Sequence, residues 1–226
     1  GQWYHTGQWP HEGVDFRGKR VGVIGTGSTG IQAIPVIAET AGHLTVFQRT
    51  ANYSIPAKNA PLTEEFKKYV KDHFEEIRDI TRGNTNGQAF YIKDRSALET
   101  PPDVRQRIYE ELWEKGGFQF RASFNDLLSN KEANDTAAQF IIHKIRQKIK
   151  DPAVADILTD IDHPFAAKRP PIDTNYFETY NRDNVTLVDI RHAPIERITE
   201  RGIKTSDAEY DLDIIVFATG FDAMTR

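Results

Sequence analysis

The chain has 226 residues, of which 38% are hydrophobic and 27% charged. This composition is typical of a globular protein with one large core, or with one core and an insertion. A net charge of −4 excludes the basic surface that nucleic-acid binding needs, and the absence of cysteine excludes disulfides and thiol catalysis.

Two further classes are not expected. The sequence has no run of 18 apolar residues, so we predict no membrane span. Its seven histidines show neither HxH nor HExxH spacing, so we predict no metal site. The first residues do not resemble a signal peptide, and the cytosol is the expected compartment.

The first predicted elements form a βαβ unit. Residues 19–24 (KRVGVI) form a short β-branched run that ends in Gly-Thr-Gly-Ser-Thr-Gly at 25–30. Isoleucines at 31, 34 and 37 then have helical spacing, and residues 44–47 (LTVF) predict a second strand. Such a unit is the smallest part of a doubly wound, Rossmann-like sheet, so we predict the α/β class.

The composition changes twice along the rest of the chain. From Pro61 to about Lys150 charged segments with apolar residues three and four apart predict helices. From Asp162 a Pro- and Asn-rich loop with one short helix leads into short predicted strands, which end in DIIVFATG. We therefore predict a linker over 1–18, a Rossmann-like domain over 19–60 and 161–226, and a mostly helical insertion over 61–160.

The glycine motif at 25–30 has the GxGxxG pattern in the context that dinucleotide binding requires, after a strand and before a helix. Gly25 permits the tight turn, Gly27 lets a diphosphate approach the backbone, and Gly30 lets the helix pack closely on the strand. The start of the helix then faces the anion. The alternative is a glycine-rich turn without a ligand.

The end of the second strand indicates which dinucleotide is bound. An NAD or FAD site usually has an acidic residue here for the ribose diol, but the sequence reads Val-Phe-Gln-Arg-Thr. Arg49 offers a planar cation and Thr50 a hydroxyl to a 2′-phosphate, which favours NADP(H). The alternative is a solvated arginine at a strand end.

Lys168 and Arg169 form a charged pair in an otherwise apolar, proline-flanked loop (HPFAAKRPP). One of two cations on a rigid loop could hold a phosphate or ribose of the dinucleotide while the other stabilises an oxyanion. The alternative is an ordinary surface bend.

Together these stretches resemble one family. Gly1, His5, Trp9 and Pro10 match the second part of the fingerprint F-x-G-x-x-x-H-x-x-x-W-P of the Baeyer–Villiger monooxygenases. The segments RVGVIGTGSTGIQ, VFQRTANYSIP, KRPPIDTNYFETYNRDNV and DIIVFATGFDAMT follow in the family's order and spacing. The resemblance, which is to the cyclohexanone and phenylacetone type, extends over essentially the whole chain.

The resemblance implies an FAD- and NADPH-dependent monooxygenase that inserts one oxygen atom of O₂ beside a ketone carbonyl, giving an ester or lactone. It matches Arg169 with the family's catalytic arginine, which stabilises negative charge during oxygen insertion, and Lys168 with a lysine that contacts NADP. It matches Arg49 and Thr50 with the 2′-phosphate site. The residues matched with the diphosphate cradle are Gly25, Thr26, Gly27, Ser28, Thr29, Gly30 and Gln32.

The resemblance also implies a role for the fingerprint. In the family its histidine lies between the FAD and NADP domains and is thought to couple their movement, so Gly1, His5, Trp9 and Pro10 are expected to be domain-coupling residues. A histidine fixed by a backbone hydrogen bond is the plainer interpretation of His5. Because the sequence has one GxGxxG motif, we expect an excised NADP domain, or the ordered part of a larger chain, that acts with an FAD domain.

Two alternatives stay open. A flavin monooxygenase that oxygenates nitrogen or sulfur shares the two-dinucleotide plan, but its fingerprint normally lacks the Trp9-Pro10 ending. A nucleotide-binding module without chemistry would not need the second cation, Arg169.

Overall fold

The structure is a computed structural model that describes residues 1–84 and 87–220. The chain divides into two compact units, one of residues 1–54, 139–163 and 168–226 and the other of residues 55–138 and 164–167. The domain boundaries given above stay a prediction. Residues 221–225 of the resemblance, FDAMT, lie outside the described residues.

The βαβ unit occurs where the sequence predicts it, and the structure has further short strands that the sequence did not predict. The strands are β1 Gln2–His5, β2 Arg20–Ile24, β3 His43–Gln48, β4 Ile55–Pro56, β5 Ile172–Asp173, β6 Val185–Asp189, β7 Ile195–Ile198, β8 Gly202–Thr205, β9 Glu209–Asp211 and β10 Ile214–Phe217. The α-helices are α1 Ser28–Thr40, α2 Glu64–Asp72, α3 Phe74–Gly83, α4 Pro102–Lys115, α5 Lys131–Lys148, α6 Pro152–Thr159 and α7 Tyr176–Thr179. Short 3₁₀ helices occupy Thr6–Gln8 and Gly117–Ala122.

The first unit contains a parallel sheet of five strands in the order β1-β10-β2-β3-β6. The order reverses beside β2, because β3 and β6 follow on one side whereas β10 and β1 lie on the other. This is the arrangement of a doubly wound α/β fold, which confirms the predicted fold class.

Side chains alternate between the two faces of this sheet. Phe47 on β3 packs with Ile215 on β10 and with Ile203 of the antiparallel sheet β7-β8-β9, which covers that face. The alternate residues Val23 and Val46 are fully buried, and α1, which contacts β2 and β3, covers the opposite face. The core therefore holds the ends of β2 and β3 rigidly in place.

The predicted linker contains residues 2–5, which in the structure form the edge strand β1, paired in parallel with β10. Their burial is weak: Gln2 and Trp3 are exposed and Tyr4 and His5 half-buried. The segment therefore lacks the apolar alternation that predicts a strand, and its pairing depends on residues about 210 positions away.

The second unit is mostly helical in its described residues. In its core, Tyr109 of α4 stacks on Phe120, with ring centroids 5.2 Å apart. Phe124 packs edge-on against Tyr109, with ring centroids 5.4 Å apart. The buried Asn134 amide donates to the carbonyl oxygens of Leu127 and Phe165, both at 2.8 Å, so this polar side chain is satisfied.

No described helix has the length and apolarity that crossing a membrane requires. Within residues 1–84 and 87–220, no group of three or more histidine and acidic side chains could hold a metal ion.

Candidate functional site

The glycine loop begins where β2 ends. Gly25 has a φ of +104°, a conformation that L side chains rarely adopt, and a Cβ there would lie 2.6 Å from the carbonyl oxygen of Ala218. A Cβ on Gly30 would collide with the carbonyl oxygen of Gly25. Both positions therefore require glycine so that the turn, β10 and α1 can approach one another.

Gly27 differs from these two glycines. It is the N-cap of α1, no side chain caps the helix there, and a Cβ on Gly27 would meet nothing within 4 Å. The space above this backbone is open, and the N–H groups of the first helical turn have no intrahelical acceptor. A diphosphate placed against Gly27 would accept these hydrogen bonds at the positive end of the helix dipole.

A cavity of about 450 Å³ lies over the glycine loop. It lies at the carboxyl ends of β2, β3 and β10, where the strand order reverses, which is the ligand position expected in open α/β sheets. Its lining consists of Ile24, Gly25, Thr26, Gly27, Ser28, Thr29, Phe47, Arg49, Thr50, Ala51, Asn52, Lys168, Ile190, Ala218, Thr219 and Gly220.

Many of the predicted cofactor residues thus meet in one place. Residues 25–29, Arg49, Thr50 and Lys168 all line the cavity, although Lys168 is more than 100 residues from the others in sequence. Gly30 has a packing role instead. Gln32 does not line the cavity, and its amide nitrogen lies 3.4 Å from the carbonyl oxygen of Ile172.

The cavity is electropositive. Its described lining has two cationic side chains, Arg49 and Lys168, and no acidic one. A hydrogen bond from His163 lowers the pKa of the adjacent Asp162, and the positive charges of Lys168 and Arg191 lower it further. A site of this kind favours an anionic group such as a 2′-phosphate over a neutral ribose diol.

The wall that contains Arg49 and Thr50 is fixed through its backbone. The Arg191 Nε donates to the carbonyl oxygen of Arg49 at 3.2 Å, and Arg191 in turn pairs with Asp160 at 2.9 Å. The Thr26 hydroxyl, in the glycine loop, donates to the carbonyl oxygen of Thr50 at 3.1 Å. These bonds hold the glycine loop and the wall that contains Arg49 and Thr50 at a fixed distance from each other.

Arg169 does not line this cavity. It follows Lys168 on the same loop and is exposed, as Lys168 is. The two adjacent cations therefore differ in position: Lys168 lines the cavity, and Arg169 is not among its described lining residues.

His5 lies on β1, outside the cavity lining. The backbone N–H of Gly7 donates to its Nδ1 at 3.1 Å, so the neutral ring carries its proton on Nε2. That Nε2 donates to the carbonyl oxygen of Gly220 at 3.0 Å, and Gly220 does line the cavity. His5 is thus connected to the site through the backbone that follows β10.

The other fingerprint residues make contacts of their own. Trp9 lies between Tyr4 and Phe16, with ring centroids at 5.9 and 6.2 Å, and Pro10 accepts a backbone hydrogen bond from Gly13. A Cβ on Gly1 would lie 2.9 Å from the carbonyl oxygen of Asp213, so glycine permits the close approach of β1 to β10.

Sequence reasoning missed part of the lining. Asn52, Ile190 and residues 218–220 were not predicted to line the site. A signal existed for 218–220, because the segment follows a buried strand, and ligands bind outside the carboxyl ends of such strands. Asn52 and Ile190 have no comparable local signal.

The chain is similar to known monooxygenases, although no protein-family profile matches it. It is 48% identical over 232 residues to 2-oxo-Δ3-4,5,5-trimethylcyclopentenylacetyl-CoA monooxygenase of Pseudomonas putida, covering 100% of this chain and 43% of the relative. It is 45% identical to a Baeyer–Villiger monooxygenase of Pseudooceanicola batsensis, with coverages of 99% and 41%. Phenazine N-monooxygenase PhzNO1 of Lysobacter antibioticus is 43% identical, with the same coverages.

Solved structures agree with these relatives. Oxidized steroid monooxygenase bound to NADP superposes with a TM-score of 0.95 at 54% identity, covering 100% of this chain and 43% of that one. The OTEMO complex with FAD and NADP gives a TM-score of 0.95 at 48% identity, with coverages of 98% and 42%. This chain spans less than half the length of the relatives that it matches, and over that part it is similar to Baeyer–Villiger monooxygenases.

Proposed function

We propose that this chain is the NADP(H)-binding part of an FAD- and NADPH-dependent Baeyer–Villiger monooxygenase, which inserts one oxygen atom of O₂ beside a ketone carbonyl. The observation that carries the proposal is the cavity in which the glycine loop, Arg49 and Lys168 meet. The similarity to Baeyer–Villiger monooxygenases and the NADP-bound structures among its neighbours support it.

The residues present fit NADP(H). The space at Gly27 and the uncapped start of α1 would take the diphosphate, and Arg49 with Thr50 would take the 2′-phosphate. Lys168 would add a second cation to the same dinucleotide. The sequence has one GxGxxG motif, so the described residues form a cradle for NADP(H) and not a second one for FAD.

The overall reaction converts a ketone, O₂, NADPH and a proton into an ester or lactone, water and NADP⁺. FAD, when bound, supplies the oxygen-transfer chemistry. The part of this chain is to bind and orient NADPH and to offer the Arg169 guanidinium to negative charge that develops on the reacting oxygen atoms. The catalytic role of Arg169 rests on the family resemblance and on its exposed position next to Lys168.

Gly1, His5, Trp9 and Pro10 have a coupling role in this proposal. The hydrogen bond from His5 to Gly220 connects β1 with the cavity lining. A movement of the fingerprint segment would therefore reach the dinucleotide site without any chemical role for the imidazole.

The test uses the intact protein with FAD, a ketone such as cyclopentanone, NADPH and ¹⁸O₂, and detects product by mass spectrometry. We expect a lactone with one ¹⁸O atom, formed with NADPH and much more slowly with NADH. Arg169→Ala should abolish the lactone and leave some NADPH oxidation, whereas the control Arg17→Ala, at an arginine that is 80% exposed, should leave it unchanged. Undiminished lactone formation by Arg169→Ala would remove this residue from the mechanism.

Oxygenation of nitrogen is the second candidate, because one relative of this chain at 43% identity is named a phenazine N-monooxygenase. The same assay distinguishes the two functions when phenazine replaces the ketone. An N-oxide from phenazine and no lactone from the ketone would favour this second candidate.

A further inference from the structure

The segment Lys168–Pro171, here called the cationic loop, carries both cations of the proposed function. Both of its charged side chains are exposed, whereas Pro170 and Pro171 are buried. An exposed lysine has many rotamers, so the region that the charge of Lys168 can reach depends on where the loop backbone is held.

The end of the cationic loop is held by a buried serine. Ser54 is fully buried, and its Oγ lies 3.2 Å from the carbonyl oxygen of Pro171 and 2.9 Å from Oδ2 of Asp173. Asp173 is only 2% exposed, and its other oxygen, Oδ1, has no hydrogen-bond partner among the described residues.

The protons can be assigned by counting donors. A serine hydroxyl donates one hydrogen, and the Pro171 carbonyl can only accept it. Both contacts are therefore satisfied when Asp173 is a neutral acid that donates from Oδ2 to Ser54, and Ser54 donates to Pro171. An ionised Asp173 would leave the Pro171 carbonyl without a donor from Ser54 and the charged Oδ1 without a partner.

The surroundings of Asp173 agree with the neutral form. Burial raises the pKa of its carboxyl group, and the negative charge of Glu178 raises it further. Lys148, the Ser54 hydroxyl and the backbone N–H of Tyr176 act in the opposite direction. Lys148 is itself paired with Glu178 at 2.9 Å, which reduces its effect on Asp173.

Ser54 ends the segment that forms one wall of the cavity. Within this segment Thr50 and Asn52 line the cavity, and the carbonyl oxygen of Thr50 accepts the bond from the glycine loop. His163 Nε2 lies 3.3 Å from Asn52 Oδ1, which ties the chain ahead of the cationic loop to the same wall.

We propose that Ser54 and Asp173 are positioning residues: their hydrogen-bonded chain to the Pro171 carbonyl holds the cationic loop against the cavity wall and so sets where Lys168 and Arg169 present their charges. Nothing in this role requires Ser54 or Asp173 to touch the dinucleotide. The proposal rests on the proposed NADP(H) function, since it explains how Lys168 reaches the bound cofactor.

The first experiment measures the loop without any cofactor. Trypsin can cleave after Lys168 but not after Arg169, because Pro170 follows, so cleavage after Lys168 reports the mobility of the loop. In the intact protein we expect trypsin to cleave the Ser54→Ala and Asp173→Ala variants after Lys168 at least about fivefold faster than wild type. Each variant loses a buried hydrogen bond, and fivefold corresponds to about 1 kcal/mol. Asp173→Asn, whose amide can donate to Ser54, should cleave at the wild-type rate.

The matched control is Ser123→Ala. Ser123 is also fully buried, but its Oγ has no hydrogen-bond partner among the described residues, so the same substitution should not change cleavage after Lys168. Cleavage after the exposed Arg17 normalises the rates. Equal normalised rates for Ser54→Ala, Ser123→Ala and wild type would overturn the proposal.

The second experiment measures binding of NADP⁺ and NAD⁺ by calorimetry. We expect Ser54→Ala to weaken NADP⁺ about tenfold and NAD⁺ much less, because the 2′-phosphate is the group that needs the cations. In a Lys168→Met background the effect of Ser54→Ala on NADP⁺ should largely disappear, since a residue that acts through Lys168 has nothing left to position. A full tenfold effect in that background would overturn the proposal.

The two hypotheses fail in different ways. A wild-type protein that binds NADP⁺ no better than NAD⁺ would refute the proposed function. A wild-type protein with the expected preference, together with a Ser54→Ala variant that keeps it unchanged, would refute the positioning role alone.

Discussion

Two glycines of the same motif, three residues apart, should respond to alanine in opposite ways. At Gly30 the added methyl group collides with the carbonyl oxygen of Gly25, a backbone atom that cannot move without displacing α1 from β2. Overpacking of this kind lowers the free energy of unfolding by about 1–3 kcal/mol, and the better helix propensity of alanine offsets about 1 kcal/mol of this loss. Because the overlap is with backbone, we expect a net loss of about 2 kcal/mol for Gly30→Ala.

At Gly27 the same methyl group enters open space. The φ of −78° is acceptable for alanine, so Gly27→Ala should cost less than about 1 kcal/mol of stability, mainly from the poorer N-cap. The methyl group instead occupies the position against which the diphosphate would lie. Charge-assisted hydrogen bonds of about 1.5–3 kcal/mol each would be weakened, so NADP⁺ affinity should fall about 10- to 100-fold.

Thermal unfolding and calorimetric titration with NADP⁺ separate the two effects. We expect Gly30→Ala to lower the Tm by about 4–8 °C, and Gly27→Ala to lower it by no more than about 3 °C. The reasoning would be refuted if Gly27→Ala bound NADP⁺ as tightly as wild type, because the diphosphate could not then lie against this glycine. It would also fail if Gly30→Ala were as stable as wild type.

Three further predictions concern single side chains. Arg49→Ala should weaken NADP⁺ about 10- to 100-fold and leave NAD⁺ binding nearly unchanged, so equal losses for both nucleotides in a titration would contradict the 2′-phosphate assignment. Burial raises the pKa of Asp173 in the folded protein, so protonated Asp173 stabilises the fold fully only at pH values below the ordinary aspartate pKa of 3.8. This stabilisation is lost as the pH rises through the raised pKa. Asp173→Asn should therefore gain Tm relative to wild type between about pH 4 and 7, and a constant difference across this range would count against a raised pKa. His5→Ala removes the hydrogen bond to Gly220 and should weaken NADP⁺ severalfold with a small fall in Tm, whereas unchanged affinity would show that β1 does not influence the cavity.

The glycine loop and the start of α1 could be predicted because their signals are local. The motif at 25–30, the strand before it and the isoleucines after it lie within about 20 residues, and the structure has β2, the turn and α1 at the expected places. Arg49 and Thr50 could be predicted for the same reason, since they directly follow the next strand, β3, and line the cavity.

The parts that sequence reasoning missed depend on distant residues. The pairing of β1 with β10 joins Gln2 to Ile214, and no periodicity in either segment specifies that partner. The hydrogen bond between Ser54 and Asp173 likewise connects residues 119 positions apart, and a serine or an aspartate in a proline-rich stretch has the appearance of an ordinary turn residue. Only the folded sheet brings such pairs together.

The position of β10 has a consequence for how the site is made. This strand is the last in the described chain, yet it is an interior strand of the sheet. It lies between β1 and β2, which both precede it by about 200 residues. Contacts between residues so far apart in sequence form slowly, because the entropy of closing the long loop is lost before the contacts contribute stabilising energy. During synthesis at about 5–20 residues per second, the glycine loop therefore exists for about 10–40 s before Gly220 is made. For that time the edge of β2 that later pairs with β10 has no partner strand, so the cavity over the glycine loop is complete only after β10 and Gly220 have been made.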